Sequence, residues 1–237
     1  MEHICLGSGS KGNAYIIKNK DTTLLVECGF TPAVLRQKMI KSGVLIQDID
    51  AVVVTHSHND HVASAKFLSD MVPIIASGPT HDKANTNQWN RYIITNWTWY
   101  DIKTIRTWAF EVDHDCEGSM GYIFEDLTTK EKTLFINDTG TVRWNFGNMK
   151  FETIMIECNH ITSTTQEGTR DTRARNTHMS LDVLKVVLSK LDLEKTRSIY
   201  LMHLSNDNSD ERRMINEIKE LTGKETYACK EDGGYTQ

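Results

Sequence analysis

Three histidines and one aspartate lie within six positions of a short segment, Thr55-His56-Ser57-His58-Asn59-Asp60-His61. The segment directly follows the apolar run 51–54, which is typical of a β-strand. A tight turn at the end of a strand can direct His56 and His58 to one side and Asp60 and His61 to the other. One loop can then supply nitrogen and oxygen ligands to two cations. Two ions about 3.5–4 Å apart can together activate a water and bind a phosphoryl or acyl oxygen, so the segment predicts a metal site that supports hydrolysis.

The spacing His-x-His-x-Asp-His resembles the signature of the metallo-β-lactamase superfamily. The resemblance implies three further ligands, each at the end of a strand: a histidine, a carboxylate that bridges the ions and a last histidine. His114, Asp138 and His203 follow predicted strands in that order. The resemblance therefore implies that one ion is bound by His56, His58, His114 and Asp138, and the other by Asp60, His61, Asp138 and His203.

The ligand set implied by the resemblance contains imidazoles and carboxylates and no cysteine. Such a set suits two borderline-to-hard divalent ions, and we expect Zn²⁺, with Mn²⁺ as the alternative. Cys116 and Cys158 lie near the predicted ligands in the sequence. We expect both to be small buried apolar residues, because a free cysteine usually packs in the interior.

A glutamate and a histidine between the last two predicted metal ligands resemble the proton-donating pair of the phosphodiesterase branch, which includes ribonuclease Z. Glu157 ends a predicted strand, and His178 lies in Thr-His-Met-Ser at the start of a predicted helix. In that branch the glutamate orients the histidine, which protonates the leaving oxygen. An alkoxide leaving group needs such a proton, and a histidine held by a carboxylate can supply it near neutral pH. We expect Asp60, His178 and Glu157 to act in catalysis; the alternative for His178 is a surface residue at a helix start.

Several ordered motifs resemble the small phosphodiesterases of the WalJ/YycJ type over almost the whole chain. They are Gly-Ser-Gly-Ser-Lys-Gly-Asn at 7–13, Asp-Thr-Gly at 138–140, Glu-Cys-Asn-His at 157–160 and His-Leu-Ser-Asn-Asp-Asn at 203–208. From these motifs we expect Ser10, Asn13 and His160 to contact the substrate.

The chain departs from the WalJ/YycJ pattern at two places. Glu27 stands where the family usually has aspartate, which is expected to reshape a hydrogen bond to the metal loop. The segment after His160 lacks the expected Tyr-Pro and becomes basic at Arg170–Arg175. This cluster either binds phosphate locally or is a solvated loop.

The composition is that of one compact enzyme domain. The 237 residues, 39% hydrophobic and 25% charged, can bury a substantial core, and we expect a single domain over 1–237. Five cysteines without paired spacing and the lack of an N-terminal apolar segment predict a reducing compartment, the cytoplasm, and no export. No apolar run approaches the roughly 18 residues of a membrane span, so we expect no membrane attachment.

Apolar periodicity and turn residues predict an α/β protein, a four-layer αββα sandwich of two sheets between helices. Predicted helices are 32–41, 62–69, 181–191 and 210–221. Predicted strands are 4–6, 14–17, 23–27, 51–54, 73–76, 108–113, 120–125 paired with 132–136, 153–157, 198–202 and 226–228. The segment 81–100 is predicted to be an irregular insertion. Its aromatic residues could stack a base, cover a pocket, form a homodimer contact or pack in the core.

The substrate is expected to be a nucleotide or nucleic-acid phosphodiester. A net charge of −5 and the small size favour a small nucleotide such as a cyclic nucleotide, because proteins that follow long nucleic acids usually carry a basic surface. The resemblance covers both WalJ/YycJ-type exonucleases, the alternative, and phage anti-Pycsar proteins that destroy cyclic nucleotide signals. A glyoxalase-like thioesterase and a binding module without catalytic activity are the remaining hypotheses. Exposed aromatic residues around 89–99 and 144–146 also predict a homodimer.

Overall fold

The computed structural model describes residues 1–162 and 177–237, so the Arg170–Arg175 cluster lies outside the described residues. Fourteen strands in this part of the chain form two sheets. The first sheet contains, in spatial order, β1 (Glu2–Gly7), β2 (Ala14–Lys18), β3 (Thr23–Val26), β4 (Ala51–Val53), β5 (Ile74–Ala76) and β6 (Arg91–Ile93). β1 to β3 are antiparallel, whereas β3 to β6 are parallel.

The second sheet has eight strands, also arranged in chain order. They are β7 (Trp99–Ile102), β8 (Ile105–Glu111), β9 (Met120–Asp126), β10 (Lys132–Ile136), β11 (Thr153–Glu157), β12 (Ser198–Met202), β13 (Glu225–Cys229) and β14 (Tyr235–Thr236). β10 to β13 are parallel and the flanking strands are antiparallel. The predicted hairpin is confirmed, since Lys132 pairs with Glu125 and Phe135 with Tyr122.

Helices cover the outer face of each sheet. They are α1 (Pro32–Lys41), α2 (Asn59–Val62), α3 (Ala65–Leu68), α4 (Gly78–Ala84), α5 (Leu181–Ser189) and α6 (Glu211–Thr222), with short 3₁₀ turns at Ile46–Asp48 and Gln88–Asn90. Among the described residues, no helix combines the length and apolar character needed to cross a membrane.

Alternating side chains along the strands divide the core into three layers. Val53 of β4 packs in the same cluster as Phe135 of β10, between the sheets. Its neighbour Val52 points to the other face, in the cluster that contains Leu35 of α1. On the far side, the second sheet packs against Leu184 of α5 and other residues of α5 and α6. The predicted αββα sandwich is therefore present.

Two predicted elements are wrong. The single helix predicted at 62–69 is divided into α2 and α3, because Ser64 donates its N–H to the carbonyl of Cys28 and its hydroxyl to the carbonyl of Phe30. The predicted irregular insertion 81–100 contains β6 and the start of β7. These short strands form the edges of the two sheets, where side chains face solvent and an alternating apolar pattern is not required.

Candidate metal centre

The predicted metal ligands lie at one edge of the sandwich, where the parallel strands end. The histidine loop follows β4, Asp138 lies two residues after β10, and His203 directly follows β12. Both Asp138 (φ 49°) and His203 (φ 53°) adopt left-handed backbone conformations. Residues other than glycine rarely adopt this conformation, which costs on the order of 1–3 kcal/mol and is concentrated at functional sites. The sharp turn after each strand brings the two side chains to the same place.

Four donor atoms form a first cluster. His58 Nδ1 lies 3.0 Å from His56 Nε2 and 3.1 Å from His114 Nε2. Asp138 Oδ2 completes the group at 3.7 Å from His56 Nε2. All four ligand atoms lie within 4.8 Å of one another, close enough to bind one ion. The structure thus brings together the first ligand set that the superfamily resemblance implied.

A second cluster shares Asp138 with the first. Asp60 Oδ2 lies 3.4 Å from both His61 Nε2 and His203 Nε2, and His61 Nε2 lies 3.3 Å from Asp138 Oδ2. These atoms also lie within 4.8 Å of one another. Asp138 is therefore placed where a carboxylate could bridge two ions.

Protein oxygen atoms contact the imidazole rings on the side opposite the donor-atom clusters. The ring nitrogen that faces away from the cluster contacts a protein oxygen in each of four histidines: His56 Nδ1 with Thr55 Oγ1 at 2.8 Å, His61 Nδ1 with Glu27 Oε2 at 3.3 Å, His58 Nε2 with Asp115 Oδ1 at 3.4 Å, and His114 Nδ1 with the Thr177 carbonyl at 3.1 Å. The hydrogen bonds of His56 and His114 are of the kind that fixes the tautomer and orientation of a metal-binding histidine.

Sequence reasoning missed Thr55, Asp115 and Thr177. Each is adjacent in sequence to a predicted site residue, which is the one signal that could have pointed to them. Glu27, by contrast, was singled out as a departure from the family pattern. The structure shows that its longer side chain still reaches the metal loop, where Oε1 accepts a hydrogen bond from Thr55 N at 3.2 Å. Burial raises the pKa of Glu27 despite the nearby His61.

The donor set fits divalent cations. Asp138 is 2% exposed, and its Oδ1 accepts no hydrogen bond from the residues that the structure describes. Burial alone would raise the pKa of Asp138, but His203 and His61 outweigh this effect and hold the pKa well below its ordinary value. A buried, ionised carboxylate with an oxygen free of hydrogen bonds, surrounded by imidazole nitrogens, is the arrangement that a cation stabilises.

Glu157 and His178 form a hydrogen-bonded pair and, with Asp138 and His203, a third group of donor atoms that all lie within 4.8 Å of one another. Glu157 is fully buried at the end of β11, and its Oε1 lies 2.6 Å from His178 Nδ1. Its Oε2 accepts hydrogen bonds from the backbone of Thr139 at 2.9 Å and of Met179 at 3.1 Å. Burial lowers the pKa of His178, but the Glu157 carboxylate outweighs it, so the pKa is raised above 6.5. The His178 ring also stacks on His203, with centroids 5.2 Å apart.

The three residues expected to contact substrate differ in their exposure to solvent and in their hydrogen bonds. Ser10 is exposed in the first loop. Asn13 is fully buried, and its amide nitrogen lies 3.1 Å from the Gly9 carbonyl and 3.3 Å from the Asp60 carbonyl. This geometry favours a role in holding the metal loop. His160 is 1% exposed, and its carbonyl accepts the N–H of Leu181, which favours a packing role.

The two cysteines near the predicted ligands are buried and free, as predicted. Cys158 packs in the apolar core of the second sheet, and burial raises the pKa of its thiol. Cys116 Sγ lies 3.0 Å from Ser57 Oγ, next to the metal loop. Neither belongs to a cluster of donor atoms among the described residues.

Several known proteins are similar to this chain in sequence or in fold. Residues 7–87 match the family model described as the metallo-beta-lactamase superfamily. Exodeoxyribonuclease YycJ of Bacillus anthracis is 26% identical over 251 residues, covering 97% of this chain and 89% of that protein. Ribonuclease Z of Methanopyrus kandleri is 35% identical over 60 residues, covering 25% of this chain and 20% of that protein. The metallo-beta-lactamase fold protein YhfI of Bacillus subtilis superposes with a TM-score of 0.75 at 17% identity, covering 99% of this chain and 98% of that one.

Proposed function

We propose that this chain, a metal-dependent hydrolase with a metallo-β-lactamase superfamily domain, is a dinuclear phosphodiesterase in which residues 1–237 form one catalytic domain. The Glu157–His178 pair carries the proposal. A phosphodiester with an alkoxide leaving group requires a proton, and this pair places a histidine with a raised pKa beside the shared Asp138 cluster. Thioester hydrolysis gives the pair no comparable task.

The predicted ligands would bind two metal ions. His56, His58 and His114 would bind one ion, Asp60, His61 and His203 the other, and Asp138 both. When bound, the ions would activate the attacking water and bind the phosphoryl oxygens. Zn²⁺ suits the imidazole-rich donor set, and Mn²⁺ is the alternative.

The protein's own proton transfer would occur at His178. Glu157 would accept a hydrogen bond from His178 Nδ1, so that His178 Nε2 can donate a proton to the leaving oxygen. The two backbone N–H groups on Glu157 Oε2 would keep the carboxylate ionised and fixed during turnover. The His178 ring is partly exposed, with a side-chain exposure of 19%, so a substrate can reach it.

The substrate we favour is a small nucleotide phosphodiester such as a cyclic nucleotide. The net charge of −5 supports this choice, since a long nucleic acid would be repelled without a basic surface. The second candidate is exonucleolytic cleavage of DNA. It is supported by the similarity to a protein named exodeoxyribonuclease over 97% of this chain.

A hydrolysis panel tests the proposal. Metal-loaded protein is offered cyclic nucleotides, 5′-phosphorylated single-stranded DNA, bis-p-nitrophenyl phosphate and a thioester side by side. We expect turnover of bis-p-nitrophenyl phosphate and of a cyclic nucleotide, and none of the thioester. Release of mononucleotides from DNA with no turnover of cyclic nucleotides would select the exonuclease. Turnover of the thioester alone would overturn the phosphodiesterase proposal, and a protein that bound no metal would be a binding module.

We further propose that two chains associate through the edge formed by β6 and β7. Several apolar side chains there are exposed: Trp89 by 83%, Ile93 by 53%, Trp99 by 48% and Tyr92 by 38%. Edge strands with unpaired backbone groups and apolar side chains are prone to pair with another chain. Light scattering at micromolar concentration is expected to give about twice the 27.0 kDa chain mass; a mass of one chain would contradict the dimer.

A further inference from the structure

We propose that a cavity of about 350 Å³ beside the metal clusters binds the base of the nucleotide substrate, with Trp144 as the stacking surface. The inference rests on the proposed phosphodiesterase function and adds the part of the substrate that the metal clusters do not contact. Pockets for small ligands have volumes from roughly 300 Å³ upward. The cavity therefore suits one base and excludes a base-paired duplex.

The walls of the cavity are continuous with the loops that carry the metal ligands. Asp113 precedes His114, and the loop after Asp138 supplies Thr141 to Trp144. The Thr139 hydroxyl lies 2.9 Å from the Asp113 carbonyl and 2.7 Å from the Thr141 carbonyl, which joins the two walls. A third wall, Cys116, contacts Ser57 between two of the metal-cluster histidines. The cavity is therefore bordered by the loops that carry the metal ligands.

Trp144 is held in place without a ligand. Its indole N–H donates to the Glu111 carbonyl at 2.6 Å. The ring of Trp97 meets it edge to face, with centroids 5.1 Å apart and planes at 89°. A preformed aromatic surface loses little conformational entropy when a base stacks on it, which strengthens binding.

The rim of the cavity is polar and carries both signs of charge. Arg143 forms an ion pair with Asp113, and 77% of the Arg143 side chain is exposed. Glu111, also on the rim, is exposed. A nucleobase has an apolar face and an edge of hydrogen-bond donors and acceptors, so a cavity lined by an indole and by charged side chains matches both parts.

Trp144→Ala separates base binding from catalysis. The variant is assayed on a cyclic nucleotide and on a 5′-phosphorylated oligonucleotide, and kcat and KM are determined separately. We expect KM for the substrate that the wild type hydrolyses to rise about 5- to 150-fold, the range for loss of one stacked base. The kcat for that substrate should not change. Trp144→Phe should retain most of the affinity, and Phe67→Ala, which removes an exposed aromatic ring on α3, should change neither.

A binding measurement keeps the inference independent of turnover. Equilibrium dialysis of metal-loaded protein should show tighter binding of a nucleoside 5′-monophosphate than of ribose 5-phosphate, and Trp144→Ala should abolish the difference. If the wild type hydrolyses no phosphodiester but shows this difference, the proposed function fails and the base pocket stands. Equal affinity for the two ligands, or a Trp144→Ala variant that loses kcat with KM unchanged, would overturn the pocket.

Discussion

Replacing His178 by alanine should reduce turnover in a way that depends on the leaving group. His178 belongs to neither of the two ligand sets that the superfamily resemblance implied. Within the third donor group its Nδ1 is hydrogen-bonded to Glu157, so the variant should retain its metals. A general acid contributes about 10²- to 10⁴-fold to a rate, or roughly 3–5 kcal/mol of activation free energy. We expect the rate loss to lie in this range, because the 2.6 Å hydrogen bond to the fully buried Glu157 carboxylate keeps His178 both oriented and protonated.

The assay compares two phosphodiesters. On a substrate with an alkoxide leaving group, His178→Ala should lose about 10²- to 10⁴-fold in kcat. On bis-p-nitrophenyl phosphate the loss should be much smaller, because p-nitrophenolate departs without a proton. Glu157→Gln should show the same pattern more weakly, since it misorients the imidazole and does not delete it. His3→Gln, at the start of β1, is the matched histidine control and should retain both rates at neutral pH.

The pH profile provides a second readout of the same role. A general acid must be protonated, and the pKa of His178 is raised above 6.5. The wild-type rate on the alkoxide substrate should therefore fall only as pH rises through that raised pKa, and His178→Ala should lack this alkaline limb. An equal loss on both substrates, with both metals retained, would refute the proton-donor role and with it the main reason for preferring phosphodiesters to other esters.

Three further predictions concern other parts of the molecule. Asp138→Ala should abolish turnover and lower the bound metal measured by elemental analysis, because it removes the carboxylate shared by both clusters; full occupancy at the wild-type rate would disprove the ligand assignment. Burial, with the N-terminal ammonium, lowers the pKa of His3 to about 4, below 6.5 in the unfolded chain. The free energy of unfolding should therefore be highest above pH 6.5 and fall by up to roughly 3 kcal/mol between pH 6.5 and 4. Denaturant titrations at each pH should show a smaller fall for His3→Gln than for the wild type. The same pH dependence in both proteins would contradict this prediction. Ile93→Lys on β6 should convert the dimer to a 27.0 kDa monomer in light scattering, and an unchanged dimer would place the interface elsewhere.

The elements nearest the chemistry were the most predictable from sequence. β11 and β12 have the predicted bounds, 153–157 and 198–202, because each is a largely buried apolar run that ends at, or directly before, a polar site residue. α1 also matches its predicted bounds, with Pro32 at its first turn. Local pattern and local structure agree at these places, so the sequence is informative.

Other features depend on contacts between distant parts of the chain. β6 and β7 were missed because they are three and four residues long and lie at sheet edges. The division of the helix predicted at 62–69 arises from hydrogen bonds of Ser64 to a loop more than thirty residues earlier in the chain. Asp115 contacts His58 only because β8 brings the two loops together. No local periodicity encodes such contacts.

Metal dependence of phosphodiester hydrolysis tests the central claim most directly. Protein stripped with a chelator is reloaded stepwise with Zn²⁺ or Mn²⁺, and hydrolysis of bis-p-nitrophenyl phosphate is measured against the metal bound per chain. We expect no activity without metal and a plateau at about two ions per chain, as the two ligand sets implied by the superfamily resemblance predict. Full activity of the metal-free protein, or two bound ions with no phosphodiester hydrolysis, would contradict the account.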